Sequence, residues 1–195
     1  NPRGEPLYIW TTNANPNTFD RAQLLGPNAT VTTQYGSVVV DAFCPTVANY
    51  VMVSDSSRFV LAFGVNDPVT NDQDPMLVQW SDQESYAVWE PLVTNQAGSY
   101  RLSHGSQIVT AIQTRQEILV FTDAAIYSMQ YLGAPYVWGF QIMGDNISIM
   151  GPNAAITVNN ITYWMGVDKF YSYSGRVETL PCTLRQYIYD DINVQ

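Results

Sequence analysis

Asn66-Asp67 and Asn71-Asp72-Gln73-Asp74 make an oxygen-rich loop of the kind that holds Ca²⁺. A calcium loop of the EF-hand type needs ligands at alternate positions, a central glycine and a closing glutamate. Counted from Asp67, the third and fifth positions are Val69 and Asn71, and no glycine follows. The stretch therefore reads as a solvated acidic turn. Asp123, Asp145 and Asp168 each close an apolar run beside a turn. There an aspartate stabilises the turn by accepting backbone N–H groups, and that role is read for each. His104 is the sole histidine, with Ser103 and Ser106 close by in sequence. A hydrolase would need this one imidazole as its base. No Gly-x-Ser-x-Gly elbow raises a nucleophile to meet it, so His104 is assigned to a loop. Cys44 and Cys182 have no metal-ligand neighbours, which argues against zinc. Both read as small buried hydrophobes, with a disulfide between them left open. No phosphate-binding glycine loop occurs. The sequence thus assigns no catalytic, cofactor-binding or metal residue and no cofactor.

Composition narrows the classes further. Of 195 residues, 46% are hydrophobic, so a sizeable core is available. Charged and aromatic residues stand at 13% each, a balance that excludes disorder and long surface helices or coiled coils. The net charge is −9, from 17 acids against 8 bases. Lys169 is the one lysine, and Arg3, Arg21, Arg58, Arg101, Arg115, Arg176 and Arg185 are scattered. Without a basic cluster, neither tight nucleic-acid binding nor an anionic membrane surface is expected. No apolar run reaches the ~20 residues of a transmembrane helix, and no signal peptide is visible. A chain that opens on Asn1 and stops at Gln195 is expected to be a segment of something longer.

The elements available to position any site are strands. Val38-Val39-Val40, Tyr50-Val51-Met52-Val53, Phe59-Val60-Leu61-Ala62-Phe63 and Ile118-Leu119-Val120-Phe121 are short apolar runs bounded by Gly, Asn, Asp or Ser. Such runs predict strands buried on both faces. No long stretch has helical periodicity; Thr183 to Asp190 predicts one short helix with Thr183 as its N-cap.

The strands repeat. Ile126-Tyr127-Ser128 returns as Phe170-Tyr171-Ser172, 44 positions on. Each follows an apolar run, Ile118 to Phe121 and Ile161 to Met165, and each run follows a Gly-led segment starting at Gly105 or Gly151. Tyr136 to Ile142 and Val177 to Leu180 close the two units. A looser copy runs through Phe59 to Gly64, Met76 to Trp80 and Ala87 to Trp89, its turn expanded into Asn66 to Pro75. A half-copy is read where Pro6 to Thr11 matches Pro75 to Ser81. Four-stranded antiparallel repeats of about 44 residues predict an all-β chain of β-propeller blades, with a β-sandwich as rival. Residues 51–195 are read as blades and 1–50 as a strand and loop segment that completes or leads into the propeller. Glu117–Thr122, Ala125–Leu132 and Tyr136–Ile142 should be consecutive strands of one sheet. Ile161–Val167 and Phe170–Ser174 should form the matching hairpin of another. The turn Ser174-Gly175-Arg176 should hold Gly175 at positive φ.

A propeller could be a glycosidase, which needs only two carboxylates. Trp80-Ser81-Asp82-Gln83-Glu84-Ser85 to Trp89 resembles the Asp-box turn of sialidases, Ser-x-Asp-x-Gly-x-Thr-Trp, but lacks its Gly and Thr. No enzyme is read. Five tryptophans and 13 tyrosines could form a sugar-binding face, but most sit in the repeating strands and read as packing. The sequons at Asn28, Asn146 and Asn160 matter only in a secreted eukaryotic protein.

Several segments carry a family resemblance: Asn95 to Leu102, Gly105 to Val109, Thr114 to Asp123, Tyr127 to Tyr131, Gly133 to Trp138 and Tyr163 to Tyr171. Over roughly Tyr50 to Asn193 the chain resembles β-propeller virion structural proteins of tailed bacteriophages, tail nozzle or hub proteins among them. The resemblance implies a homo-oligomeric ring around the DNA exit channel, touching other tail or portal-adaptor proteins. It implies passage of DNA without sequence-specific binding, no membrane insertion and no catalytic residues. The expected location is the virion, after synthesis in the bacterial cytoplasm. An acidic surface suits such a conduit, because it repels phosphates. The alternative is a host-surface glycan- or receptor-binding propeller of the tail or baseplate.

Overall fold

Most of the short apolar runs bounded by turn residues form strands, and a computed structural model describes residues 4–11 and 21–192. Among these residues there are sixteen strands, all in antiparallel sheets of two to four, and one short helix. The chain is all-β. It divides into two compact units, one of residues 1–103 with 133–137, the other of residues 104–132 with 138–195.

The first unit begins with two hairpins, β1 (Leu7–Ile9) with β2 (Gln23–Leu25) and β3 (Thr30–Thr33) with β4 (Gly36–Val39). Gln23 joins them with its side chain: its Oε1 accepts from Thr32 N at 2.8 Å and its Nε2 donates to Thr32 O at 2.8 Å. The amide thus copies a strand-pairing bond. A four-stranded sheet follows, β5 (Tyr50–Val53), β6 (Val60–Phe63), β7 (Leu77–Trp80) and β8 (Gly98–Arg101), ordered in space as in sequence. Leu7, Leu25, Val31 and Val40 of the hairpin region share one core with Ala62, Leu77 and Trp89.

The second unit holds two more sheets of the same plan. The first is β9 (Ile108–Gln113), β10 (Ile118–Thr122), β11 (Ala125–Gly133) and β12 (Val137–Asp145), with all but the last residue of β11 and the first of β12 in this unit. The second is β13 (Ala155–Val158), β14 (Ile161–Met165), β15 (Phe170–Tyr173) and β16 (Val177–Leu180). Their registers coincide under the spacing read from the sequence. Ile112 pairs with Leu119 as Ile156 pairs with Tyr163, and Phe121 pairs with Ile126 as Met165 pairs with Phe170. The two sheets lie face to face. Leu119, Phe121 and Ile126 of one pack on Trp164, Tyr171 and Tyr173 of the other. Trp164 stacks on Tyr171 and meets the ring of Phe121 edge-on, both at 5.3 Å.

Three strand expectations need correction. Ala87 to Trp89 is not a strand; the closing strand of its sheet is Gly98–Arg101. Trp89 is fully buried, but from a loop, which is why an apolar signal there misleads. Val38 and Val39 lie in an exposed strand, and β5 is half-exposed, whereas β10 is buried on both faces as expected and β6 nearly so. The helix is α1 (Arg185–Asp190), and its N-cap is Leu184, without a side-chain capping bond, rather than Thr183. Asn193 to Gln195, where the family resemblance ends, lie outside the described residues.

Gly175 has φ +99° with no atom near an added Cβ, so backbone conformation alone opposes a side chain there. Gly175→Val should lower the unfolding free energy by roughly 1 kcal/mol or more, read as a reduced urea midpoint. The three sequon asparagines also sit at positive φ, at 58° (Asn28), 54° (Asn146) and 66° (Asn160). Asparagine tolerates this region better than most residues, so the turns account for them without any glycan.

Candidate functional site

Asp123 opens the turn after β10 and organises the loop that carries His104. Its Oδ1 accepts from Ser106 N at 2.7 Å, and its other oxygen accepts the Ser106 hydroxyl proton. Gln107 N lies at 3.4 Å from the same Oδ1. Burial pushes the Asp123 carboxyl up, but the Ser106 and Gln107 bonds outweigh it and hold it below the ordinary value. Gly105, at φ +117°, lets the loop pass close to Asp123 and Thr122. His104 itself is exposed; its backbone N–H donates to the Tyr127 hydroxyl at 2.8 Å, and its ring Nδ1 lies 3.4 Å from that oxygen. Ser106 is committed to Asp123, so no serine–histidine–aspartate relay is assembled.

A group with a depressed folded pKa stabilises above its unfolded pKa, and that stabilisation disappears as pH falls through the folded value. Asp123 should therefore add stability at neutral pH that fades below about pH 4. Urea titrations at pH 7 and pH 3 should show a smaller acid loss for Asp123→Asn than for the parent chain. An equal acid loss would remove the turn role.

The acidic loop between β6 and β7 is closed by its own bonds. Asp67 Oδ1 accepts from Val69 N at 2.8 Å and Thr70 N at 3.0 Å, and these N–H groups, Thr70 first, hold its carboxyl below the ordinary value. Asn66 Oδ1 accepts from Thr46 N at 2.8 Å, and Asp74 takes Met76 N at 3.0 Å and Arg101 Nε at 2.5 Å. Among the described residues no three His, Cys, Asp or Glu side chains gather as a metal site.

The stretch resembling an Asp-box is likewise occupied. Asp82 Oδ1 accepts from Gln96 N at 2.9 Å, and Glu84 pairs with Arg58 at 2.7 Å. Trp80 donates its Nε1 proton to Gln96 O, and Trp89 to Tyr86 O. Cys44 and Cys182 are free thiols; Cys44 is buried as expected, while Cys182 is half-exposed. Burial, helped by Asp41, pushes the Cys44 thiol up to about 12, so it is inert as a nucleophile.

One cluster was not singled out from the sequence. Glu117 accepts from the Ser128 hydroxyl and from Gln130 Nε2, and it borders a polar cavity of about 130 Å³ with Thr114, Asn160 and Tyr173. Burial first, and Glu117 second, push the Tyr173 hydroxyl far up, so it stays protonated. Ser128 is only 1% exposed and faces a carboxylate rather than an imidazole, so it cannot reach a substrate. Period-two reading finds Ser128 as an inward position but gives no sign of Glu117 as its partner.

An apolar groove lies beside the β13–β16 sheet, with Trp164 among its lining residues. It measures about 500 Å³ and is also lined by Ile156, Tyr163, Met165, Phe170, Leu180 and Ile188. It offers contact area and almost no polar groups. No family model matches the chain, and no curated protein matches it. Among the described residues no helix is long and apolar enough to cross a membrane.

Proposed function

We propose that the chain is a β-propeller structural component of a bacteriophage tail, forming part of a ring or nozzle around the DNA exit channel. The observation that carries the propeller reading is the repeated sheet. Three four-stranded sheets are each made of strands consecutive in sequence, and none borrows a strand from another. A Greek-key sandwich exchanges strands between its sheets; blades do not. Within the second unit, moreover, the first strands β9 and β13 approach each other, as the innermost strands of neighbouring blades do.

The virion role rests on the family resemblance and on chemistry. The acids considered for catalysis are engaged in turns and ion pairs, and the exposed histidine has no assembled nucleophile beside it. The excess of acids suits a surface past which DNA slides. Particles of the phage that encodes the chain, purified on a gradient, should contain it at a fixed copy number, and labelled antibody should mark the tail. Its absence from particles would overturn the role. Glycan binding by the free chain would promote the receptor-binding alternative.

A further inference from the structure

The polar cavity beside Glu117 sits where three hairpin turns of the second unit meet. Thr114 and Glu117 come from the turn between β9 and β10, Asn160 from that between β13 and β14, and Ser174 and Gly175 from that between β15 and β16. Its volume of about 130 Å³ takes a few waters or one short ligand. No lysine, arginine or histidine is among the lining residues. Among the described residues ion pairs join Arg58 to Glu84, Arg101 to Asp74, Lys169 to Asp168 and Arg176 to Glu178, and none reaches Glu117. Yet Glu117 is half-buried, and its donors, the Ser128 hydroxyl and the Gln130 amide, are neutral. A carboxylate withdrawn from water needs a counter-charge more than an exposed one does. Just before the same turn, Gln113 Oε1 is buried without a hydrogen-bond partner. This end of the sheet is thus short of donors as well as of positive charge.

We propose that this cavity binds a primary ammonium group, with Glu117 as its counter-charge. The bonds already made favour an ammonium over a guanidinium. Ser128 and Gln130 both donate to Oε2, so both lone pairs of that oxygen are taken. The Tyr173 hydroxyl can take at most one of the two on Oε1. A guanidinium fork needs both carboxylate oxygens. An ammonium is a compact charge with three donors, so one can go to Oε1 and the others to neutral oxygens. Thr114, Asn160 and Ser174 bring oxygen-bearing side chains to the lining. Calcium fits less well, because it takes roughly six to eight oxygen ligands, and Glu117 is the one carboxylate in the lining. The one lysine, Lys169, is paired with Asp168, so no side chain of this protein fills the site. The ammonium belongs to a free amine or to a lysine of another protein. The inference does not rest on the virion role.

The test follows backbone amide NMR shifts of the full 195-residue chain as ethylammonium chloride is added at constant ionic strength. The amides of Thr114, Asn160 and Gly175 should shift together and saturate in the millimolar range, the strength open to so small a ligand. Tetramethylammonium, with the same charge and no N–H, should bind at least about tenfold more weakly, as should sodium and calcium. Glu117→Gln keeps an acceptor for Ser128 but removes the charge, and should weaken ethylammonium binding at least about tenfold. Asn160→Gly preserves the positive-φ turn and should also weaken binding, so a Glu117→Gln chain that does not fold still leaves a test. Glu178→Gln, at an exposed ion pair of the second sheet, should bind like the parent. Tighter binding of N-acetyl-lysine amide than of ethylammonium would support the site and name a protein side chain as the source. Equal or weaker binding would support it and name a free amine. No saturation by ethylammonium would overturn the inference. So would equal binding of tetramethylammonium or calcium, or undiminished binding by Glu117→Gln.

Discussion

Trp164→Ala should lower the unfolding free energy by about 3–5 kcal/mol, the largest loss expected from any single change in the second unit. Trp164 is 3% exposed and is where the two sheets of that unit meet, stacked on Tyr171 and edge-on to Phe121. Truncation leaves a cavity between two sheets that cannot collapse without shifting eight strands. Its indole N–H is buried without a hydrogen-bond partner, so the ring is held by packing alone. Trp164→Phe should therefore cost well under half as much, because it keeps an aromatic surface and removes an unsatisfied donor. Urea unfolding followed by circular dichroism measures both. A phenylalanine variant as weak as the alanine variant would show that the indole is tied down by something other than packing.

Asp41→Ala should cost about 2–4 kcal/mol in the first unit. The carboxylate accepts from Phe43 N at 3.0 Å, Trp89 N at 2.5 Å and Glu90 N at 2.8 Å, and its own backbone N–H donates to Ala87 O. One side chain thus fixes a loop nearly fifty residues away and seats the fully buried Trp89. Asp41→Asn keeps an acceptor oxygen and should recover part of the loss. Thiol labelling in native buffer gives a second readout. The parent chain should react at the half-exposed Cys182 and resist at the buried Cys44, and Asp41→Ala should speed labelling of Cys44. Unchanged protection of Cys44 would mean that the loop holds its place without Asp41.

What the sequence disclosed was repetition and turn chemistry. The spacing of Tyr127 and Tyr171 carried the register of two sheets, because equivalent side chains must point to equivalent faces. Gly175 was legible because a two-strand turn demands positive φ. Gly98-Ser99-Tyr100-Arg101 was missed as a strand because it carries no apolar run: its backbone pairs with β7 while its side chains are largely exposed. Ala87 to Trp89 misled for the opposite reason, being buried without pairing. Apolar patterning reports burial, and pairing partners leave no mark in it. The same limit hid Glu117, whose partners Ser128 and Gln130 lie on the neighbouring strand. It also hid the groove, whose lining is spread over several elements.

The strictly sequential sheets have a consequence for how the chain comes off the ribosome. Each four-stranded sheet closes within a short stretch, Tyr50 to Arg101, Ile108 to Asp145 and Ala155 to Leu180, and every strand after the first of its sheet pairs with the one made just before it. No early strand must wait for a distant late one, so loop-closure entropy stays small at each step. Each sheet can thus form soon after its fourth strand emerges. Pulse-labelled nascent chains stalled after Leu180 should already protect the β9–β12 amides from exchange, while those stalled at Phe121 should not.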